Sequence, residues 1–366
     1  MTRFRKTFVW ARCVSVAIWL AVPLFTLLVV SDSFAQNIQD GHAVLPERRI
    51  RAYHYLGADE DIIRQTVGRI VRQEGDAPGG WVYEWSTIGK YYEELGDETI
   101  KRGPRRAALE AYMTAGVYYA LAWFPTIISD EQDQAYAAQL RVYQKGGKLF
   151  DVPLEVVNVP FREGHLVTYL HKPVGVEKPP LVIYSGGVDQ YKANHYRAIQ
   201  DYLEKGFAVA TFDMPGFGEG RQWPREQSSE PHIAVLEHYL KRSDIDAKHI
   251  SFFGQSYGGG AALRVALLND PRITAVVAMC AGIRSGEESS LLATGKIGKA
   301  NTITTPLLVV NGTRDPGNPV ADMMLTYQSA VEGDLWLLGL GEHCAVEYYP
   351  VVMPHVAQWL VEKNSK

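Results

Sequence analysis

The sequence lacks a surplus of positive charge. Across 366 residues, 37 Lys and Arg stand against 41 Asp and Glu, for a net charge of −4. A nucleic-acid partner needs a basic stripe or patch, so none is expected. Cysteine is scarce, at positions 13, 280 and 344 only, which excludes a disulfide-dense scaffold. No Cys/His cluster has metal-ligand spacing, so neither a metal centre nor a cofactor is expected. The glycine run Gly216-Phe217-Gly218-Glu219-Gly220 is not followed by Lys-Ser/Thr at Walker spacing; it reads as a turn, not a phosphate loop. Hydrophobic content of 46% and charged content of 21% fit an ordinary globular chain.

One long apolar run is present, and it lies at the start. Arg3, Arg5, Lys6 and Arg12 precede an almost wholly apolar stretch from Cys13 to Val30, and Ser33-Phe34-Ala35 offers small residues at a cleavage point. Residues 1–35 read as a secretory signal peptide, which implies a secreted or periplasmic protein without stable membrane insertion. The alternative is an uncleaved leader that anchors the chain. Cleavage leaves Cys280 and Cys344. An exported protein could pair them, but a buried free Cys280 at the end of a core strand is the expectation.

Residues 36–58 are polar, contain Pro and Gly, and read as a lead-in segment. From 59 to 150 the pattern is helical. Ile62, Ile63, Val67, Ile70 and Val71 recur at helical spacing, and so do Trp81, Trp85, Ile88 and Tyr92. A long helix opens at Gly103-Pro104 and ends before Pro125; another covers Ala135 to Lys145. The dense Tyr and Trp residues are expected to pack against small alanines. The spacing over 85–123 is similar to one tetratricopeptide helix pair, which alone makes no solenoid.

At 151 the period becomes strand-like. Leu154–Val159 and Leu166–His171 predict two antiparallel strands. Leu181–Tyr184, Phe207–Phe212, the strand ending at Gly254, Ile273–Met279, Pro306–Asn311 and Leu335–Leu338 follow, with helices over Tyr191–Lys205 and 231–242. Alternation of this kind predicts an α/β fold: a mostly parallel sheet with helices on both faces, preceded by an all-helical cap. Ligands bind at the carboxyl ends of such strands.

The chemistry centres on Gly254-Gln255-Ser256-Tyr257-Gly258, a G-x-S-x-G turn between an apolar strand and a small-residue helix start. Lifting a serine hydroxyl off a sheet edge needs a sharp, strained turn, and side chains two residues either side would collide in it. Serine needs a base, usually a histidine oriented by a carboxylate. Asn311-Gly312-Thr313-Arg314-Asp315-Pro316 follows a Leu-Leu-Val-Val strand and puts Asp315 at its carboxyl edge, and His343 lies in the Gly-rich loop after Leu335–Leu338. Both fall at the same sheet edge, in the order serine, acid, histidine. None of the nine other histidines has that placement; His195, just after Ser185-Gly186-Gly187, would more readily bind substrate or cap a helix. Two donors are expected for an oxyanion: the N–H of Tyr257 and one from the loop Ser185–Asp189, with Gly187 preferred and Gly186 and Val188 as alternatives. Glu287 and Glu288, past the strand ending at Cys280, could orient substrate or form a solvated acidic pair.

These motifs, with Asp213-Met214-Pro215-Gly216-Phe217-Gly218, Asn311-Gly312-Thr313-Arg314-Asp315 and Gly341-Glu342-His343, resemble the α/β-hydrolase superfamily over about 150–363. The aromatic helical stretch narrows the resemblance to the subgroup with an N-terminal helical cap. That subgroup includes fermentation-respiration switch esterases, dihydroxypseudooxynicotine hydrolase and fungal polyketide chain-shortening hydrolases. The resemblance implies Ser256, Asp315 and His343 as a triad, a capped pocket, and cleavage of esters or of carbon–carbon bonds beside a ketone. In the latter case Glu287 lies where an acidic residue helps. The expected function is a serine hydrolase acting on a small, partly apolar ester. Alternatives are a carbon–carbon hydrolase, a prolyl-oligopeptidase-like peptidase, disfavoured because no propeller domain precedes the catalytic part, and a non-catalytic binding module. A small molecule is the expected partner; a homodimer is left open.

Overall fold

The structure, a computed structural model, describes residues 37–39, 42–73, 75–226, 228–282 and 300–365. The leader and Glu287 and Glu288 lie outside the described residues. Residues 36–366 cluster as one unit. Among the described residues no helix is long and apolar enough to cross a membrane.

The chain begins with a two-stranded hairpin, β1 (Asn37–Gln39) and β2 (His42–Val44), and the helix α1 (Glu47–Leu56). The lead-in segment thus carries regular elements that its sequence pattern did not predict. Ile50, Tyr53 and Leu56 keep a helical spacing and are buried, but Arg48, Arg49 and Arg51 mask the stripe in the sequence. The helices α2 (Glu60–Arg69), α3 (Trp81–Arg102), α4 (Arg105–Trp123) and α5 (Asp130–Gly147) follow. Their starts have local causes. The Asp59 carboxylate accepts from the Ile62 N–H at 3.0 Å, and the Ser129 hydroxyl from the Gln132 N–H at 3.2 Å. Small residues on one helix meet large rings on the next: Gly89 faces Tyr119 and Gly96 faces Tyr112, which makes α3 and α4 antiparallel neighbours.

The main sheet has eight strands: β3 (Glu155–Phe161), β4 (Gly164–His171), β5 (Leu181–Ser185), β6 (Ala208–Phe212), β7 (Ile250–Gln255), β8 (Ile273–Met279), β9 (Leu307–Gly312) and β10 (Gly333–Leu338). Their order is β10-β9-β8-β7-β5-β6-β4-β3. β3 and β4 are antiparallel to their neighbours, as their alternating pattern predicts, and the other pairings are parallel.

The period of two sorts side chains into two cores. Leu181, Ile183, Ile250, Phe252, Leu307 and Val309 share one with α7 (Glu230–Tyr239), α8 (Tyr257–Ala266) and the N-terminal helices. Val182, Tyr184, Phe253, Leu308 and Val310 share the other with α6 (Tyr196–Glu204) and α10 (Tyr349–Asn364). Helix α9 is Val320–Gln328. The segment expected as one helix over 191–205 begins as a 3-10 turn at Lys192–Asn194, and the α-helix starts at Tyr196.

The helical part is tied to the sheet by a buried network. Lys192, fully buried, places its ammonium 2.7 Å from Asp213 and 2.5 Å from Glu219, and 3.1 Å from the Tyr136 hydroxyl of α5. Tyr136 also donates to Asp213. Burial pushes the Lys192 ammonium down, but the two carboxylates overcome it and hold the group charged. Above this network, Trp123 of α4 stacks on Tyr191 at 4.2 Å between centroids, Tyr191 meets Phe217, and Phe217 meets Tyr257 edge-on. Aromatic contacts thus run from the helical layer to the residue after Ser256. Removing one partner of a buried ion pair strands the other charge, so Lys192→Met is expected to cost about 3–5 kcal/mol. Urea unfolding followed by circular dichroism checks this.

Candidate active site

The parallel register decides which residues meet. Ser185 pairs with Gly254, Gln255 with Met279, Met279 with Val310, and Gly312 with Leu338. Five strands therefore end along one edge, and Ser256, Cys280 and the loops holding Asp315 and His343 follow four of them directly.

Ser256 has φ 53° and ψ −114° between β7 and α8, in the positive-φ region that non-glycine residues rarely adopt. Backbone bonds on both sides hold it there. Its own N–H donates to Met279 O at 2.8 Å, and the Gly258 N–H donates to Gly186 O at 3.1 Å. A side chain at Gly254 would strike the Gly258 carbonyl, and one at Gly258 would stand 2.6 Å from the Gly186 and Ser185 oxygens.

The structure brings Ser256, His343 and Asp315 together. Ser256 Oγ lies 2.9 Å from His343 Nε2, and His343 Nδ1 lies 2.7 Å from Asp315 Oδ2. With Asp315 ionised, Nδ1 carries the proton and donates to it, and Nε2 accepts from the serine hydroxyl. Asp315 is 4% exposed. Burial pushes its carboxyl up, but hydrogen bonds from His343, Asn311 (2.9 Å) and Asn318 (3.1 Å) outweigh that and hold it below the usual carboxylate range. The Gly317 N–H donates to its other oxygen at 2.9 Å.

The loop after β5 lies against the serine. A Cβ on Gly187 would stand 3.1 Å from Ser256 Cβ, and 3.5 Å from both Ser256 Oγ and Asp189 Oδ1. Tyr257 directly follows Ser256 and is the first residue of α8. His195 does not join the group. It is 2% exposed, packs on Tyr184 at 4.4 Å and sits behind Gly186, so it supports the loop and does not present its ring to a substrate. Burial lowers its pKa to about 3, which keeps the ring neutral.

Three features escape sequence reasoning. Asn311 and Asn318 serve the acid. Helix α1 reaches both loops: Arg49 pairs with buried Asp189 at 2.5 Å, and Arg48 pairs with Glu342, beside His343, at 2.5 Å. Finally, Cys280 and Cys344 form a disulfide with Cα atoms 4.6 Å apart, correcting the expectation of a free Cys280. The register places Cys280 at the end of β8, beside the loop that returns with Cys344, and only that pairing across strands reveals the contact.

An eight-stranded, mostly parallel sheet bearing a serine on a strand-to-helix turn defines an α/β-hydrolase fold. The sequence model described as "Esterase FrsA-like" matches residues 70–286, and the chain belongs to that family. Esterase FrsA of Yersinia pestis (strain Pestoides F) is 31% identical over 206 residues, covering 55% of this chain and 49% of the relative. Esterase FrsA of Yersinia pseudotuberculosis (serotype O:1b, strain IP 31758) matches equally. The chain therefore spans about half the length of the curated relatives it matches. Among solved structures, 2,6-dihydroxy-pseudo-oxynicotine hydrolase superposes with a TM-score of 0.72 at 21% identity, covering 86% of this chain and 95% of that one. AbyA5 does so with a TM-score of 0.66 at 18% identity, covering 83% and 89%. At these identities the likeness concerns the fold.

Gly258→Ala is expected to destabilise the fold by at least about 1–3 kcal/mol, because neither carbonyl facing the new methyl belongs to a flexible side chain. The midpoint of denaturant unfolding reports it.

Proposed function

We propose that the protein is a serine hydrolase that cleaves a carboxylic ester of a small, partly apolar substrate. The observation that carries this reading is the continuous hydrogen-bonded row Ser256–His343–Asp315, at 2.9 and 2.7 Å, above the carboxyl ends of the parallel strands. Membership in a family described as esterase-like supports it independently.

In the proposed reaction the Ser256 oxygen attacks the ester carbonyl while His343 Nε2 takes its proton. Asp315, kept ionised by its amide neighbours, holds the imidazole in the tautomer that can accept and stabilises it once charged. The N–H groups of Tyr257 and Gly187 are the proposed donors to the oxyanion, since both residues flank Ser256. His343 then returns the proton to the leaving alcohol oxygen. Water, activated by the same ring, releases the acid from the acyl-enzyme. The aromatic rows of the helical layer favour an apolar or aromatic substrate part, and their burial helps exclude bulk water.

We further propose that the protein works outside the cytoplasm. The basic-then-apolar leader supports this, as does the Cys280–Cys344 disulfide, which persists in oxidising compartments.

Ser256→Ala is expected to abolish turnover of a short-chain nitrophenyl ester. Asp315→Asn is expected to lower kcat by on the order of 10³–10⁴-fold through the wrong imidazole tautomer. Initial rates on folded protein check both, and an unchanged rate in Ser256→Ala would remove the nucleophile assignment.

A further inference from the structure

We propose that the Cys280–Cys344 disulfide is a positioning device for the His343 imidazole, so that turnover depends on the oxidised pair. The inference rests on the serine-hydrolase reading above. It concerns neither the nucleophile nor the acid, but what keeps the base between them.

His343 opens a 3-10 turn, His343–Tyr348, whose second and third residues depart from helical geometry, and such irregular segments hold side chains less firmly than regular strands or helices. Its neighbour Cys344 has φ 62° and the next residue, Ala345, φ 46°; Cys280, across the bond, has φ 47°. Three non-glycine residues in the left-handed region persist only where the surroundings over-determine them. The fixings nearest the ring are unequal. The Arg48–Glu342 pair is partly exposed, with side chains 21% and 47% accessible, and such pairs are screened by water and salt. The Cys344 N–H donates to Asn311 Oδ1 at a long 3.3 Å. The disulfide is covalent and buried, with its half-cystines 1% and 2% exposed.

Its far end is also well placed. Cys280 directly follows β8, the strand beside the nucleophile strand, and its N–H donates to Val310 O of β9 at 2.8 Å. The bond therefore references the histidine loop to the two strands that carry Ser256 and Asp315. Both sulfurs and a ring nitrogen of His343 lie within 4.8 Å of one another. Loss of the crosslink frees Cys344 from β8, and a shift of the adjacent ring lengthens two hydrogen bonds at once. A dithiol reductant would open the bond by exchange. Its thiolate attacks one sulfur, the other sulfur leaves and takes a proton, and the second reagent thiol closes a cyclic disulfide while releasing the first cysteine. The protein gains two thiols, and the reagent gives up two electrons and two protons.

The test is the double variant Cys280→Ser/Cys344→Ser of the full chain, assayed on a nitrophenyl ester. A kcat lower by on the order of 10–100-fold with KM within about twofold of wild type is expected, because misplacement of a base costs transition-state rather than ground-state binding. A merely structural crosslink would lower the unfolding midpoint and leave kcat per folded molecule unchanged, and that result overturns the proposal. If the double variant does not fold, wild-type protein is reduced with dithiothreitol under native conditions and its thiols are counted by alkylation and mass spectrometry. Activity should fall in step with the reduced fraction and return on reoxidation; full activity in folded, fully reduced protein overturns the proposal. Ser256→Ala is run in parallel. Full kcat in the double variant beside an inactive Ser256→Ala overturns this inference alone, whereas an active Ser256→Ala overturns the reading beneath it.

Discussion

The reversal of the chain at Ser256 is the constraint on which the rest of the site depends. A strand that ends in a helix can lift one side chain off the sheet edge, but only through backbone values of 53° and −114° that a serine does not adopt freely. The cost is met by neighbours rather than by the residue. The Met279 and Gly186 carbonyls accept from the turn, and the glycines at 254 and 258 leave room for the backbones to touch. Each partner belongs to a strand adjacent to β7 or to its loop. The position of Ser256 is thus set by the same parallel pairing that builds the core.

That pairing also explains how residues far apart in the chain converge. Register matches the ends of β5, β7, β8 and β9 within one row, and each loop needs only a few residues to reach the serine. The helical layer adds a second restraint. Tyr136 and the Lys192–Asp213 pair fix it to the loops after β5 and β6, while α1 braces the loop after β5 through Arg49 and the loop holding His343 through Arg48. Polar groups at depth are expensive unless paired, and the two buried pairs, Lys192–Asp213 and Arg49–Asp189, each join two segments around Ser256.

Much of this was legible in the sequence, for a physical reason. Strands buried on both faces read as continuous apolar runs, and the serine turn has a steric rule that leaves glycines at fixed offsets. Asp315 and His343 were legible because each lies a few residues past an apolar run, although β10, the run before His343, is a half-buried edge strand. What stayed hidden depends on contacts across the sheet. Cys280 and Cys344 are 64 residues apart, and only the register of β8 shows that they meet. Asn311 and Asn318 resemble ordinary turn residues until Asp315 lies between them. Helix α1 was masked by its arginines, the side chains that carry its contacts to the site. His195 occupies the helix-capping position that the sequence allowed it, before Tyr196 and without a side-chain capping bond, but nearness in sequence to a glycine pair says nothing about which side of the loop its ring occupies.

The most direct test of the central claim is labelling of the folded protein with a fluorophosphonate, followed by tryptic digestion and mass spectrometry. A serine activated by His343 should give one stoichiometric adduct, on Ser256, and none on the other serines. No adduct, or an adduct on a different residue, would contradict the account.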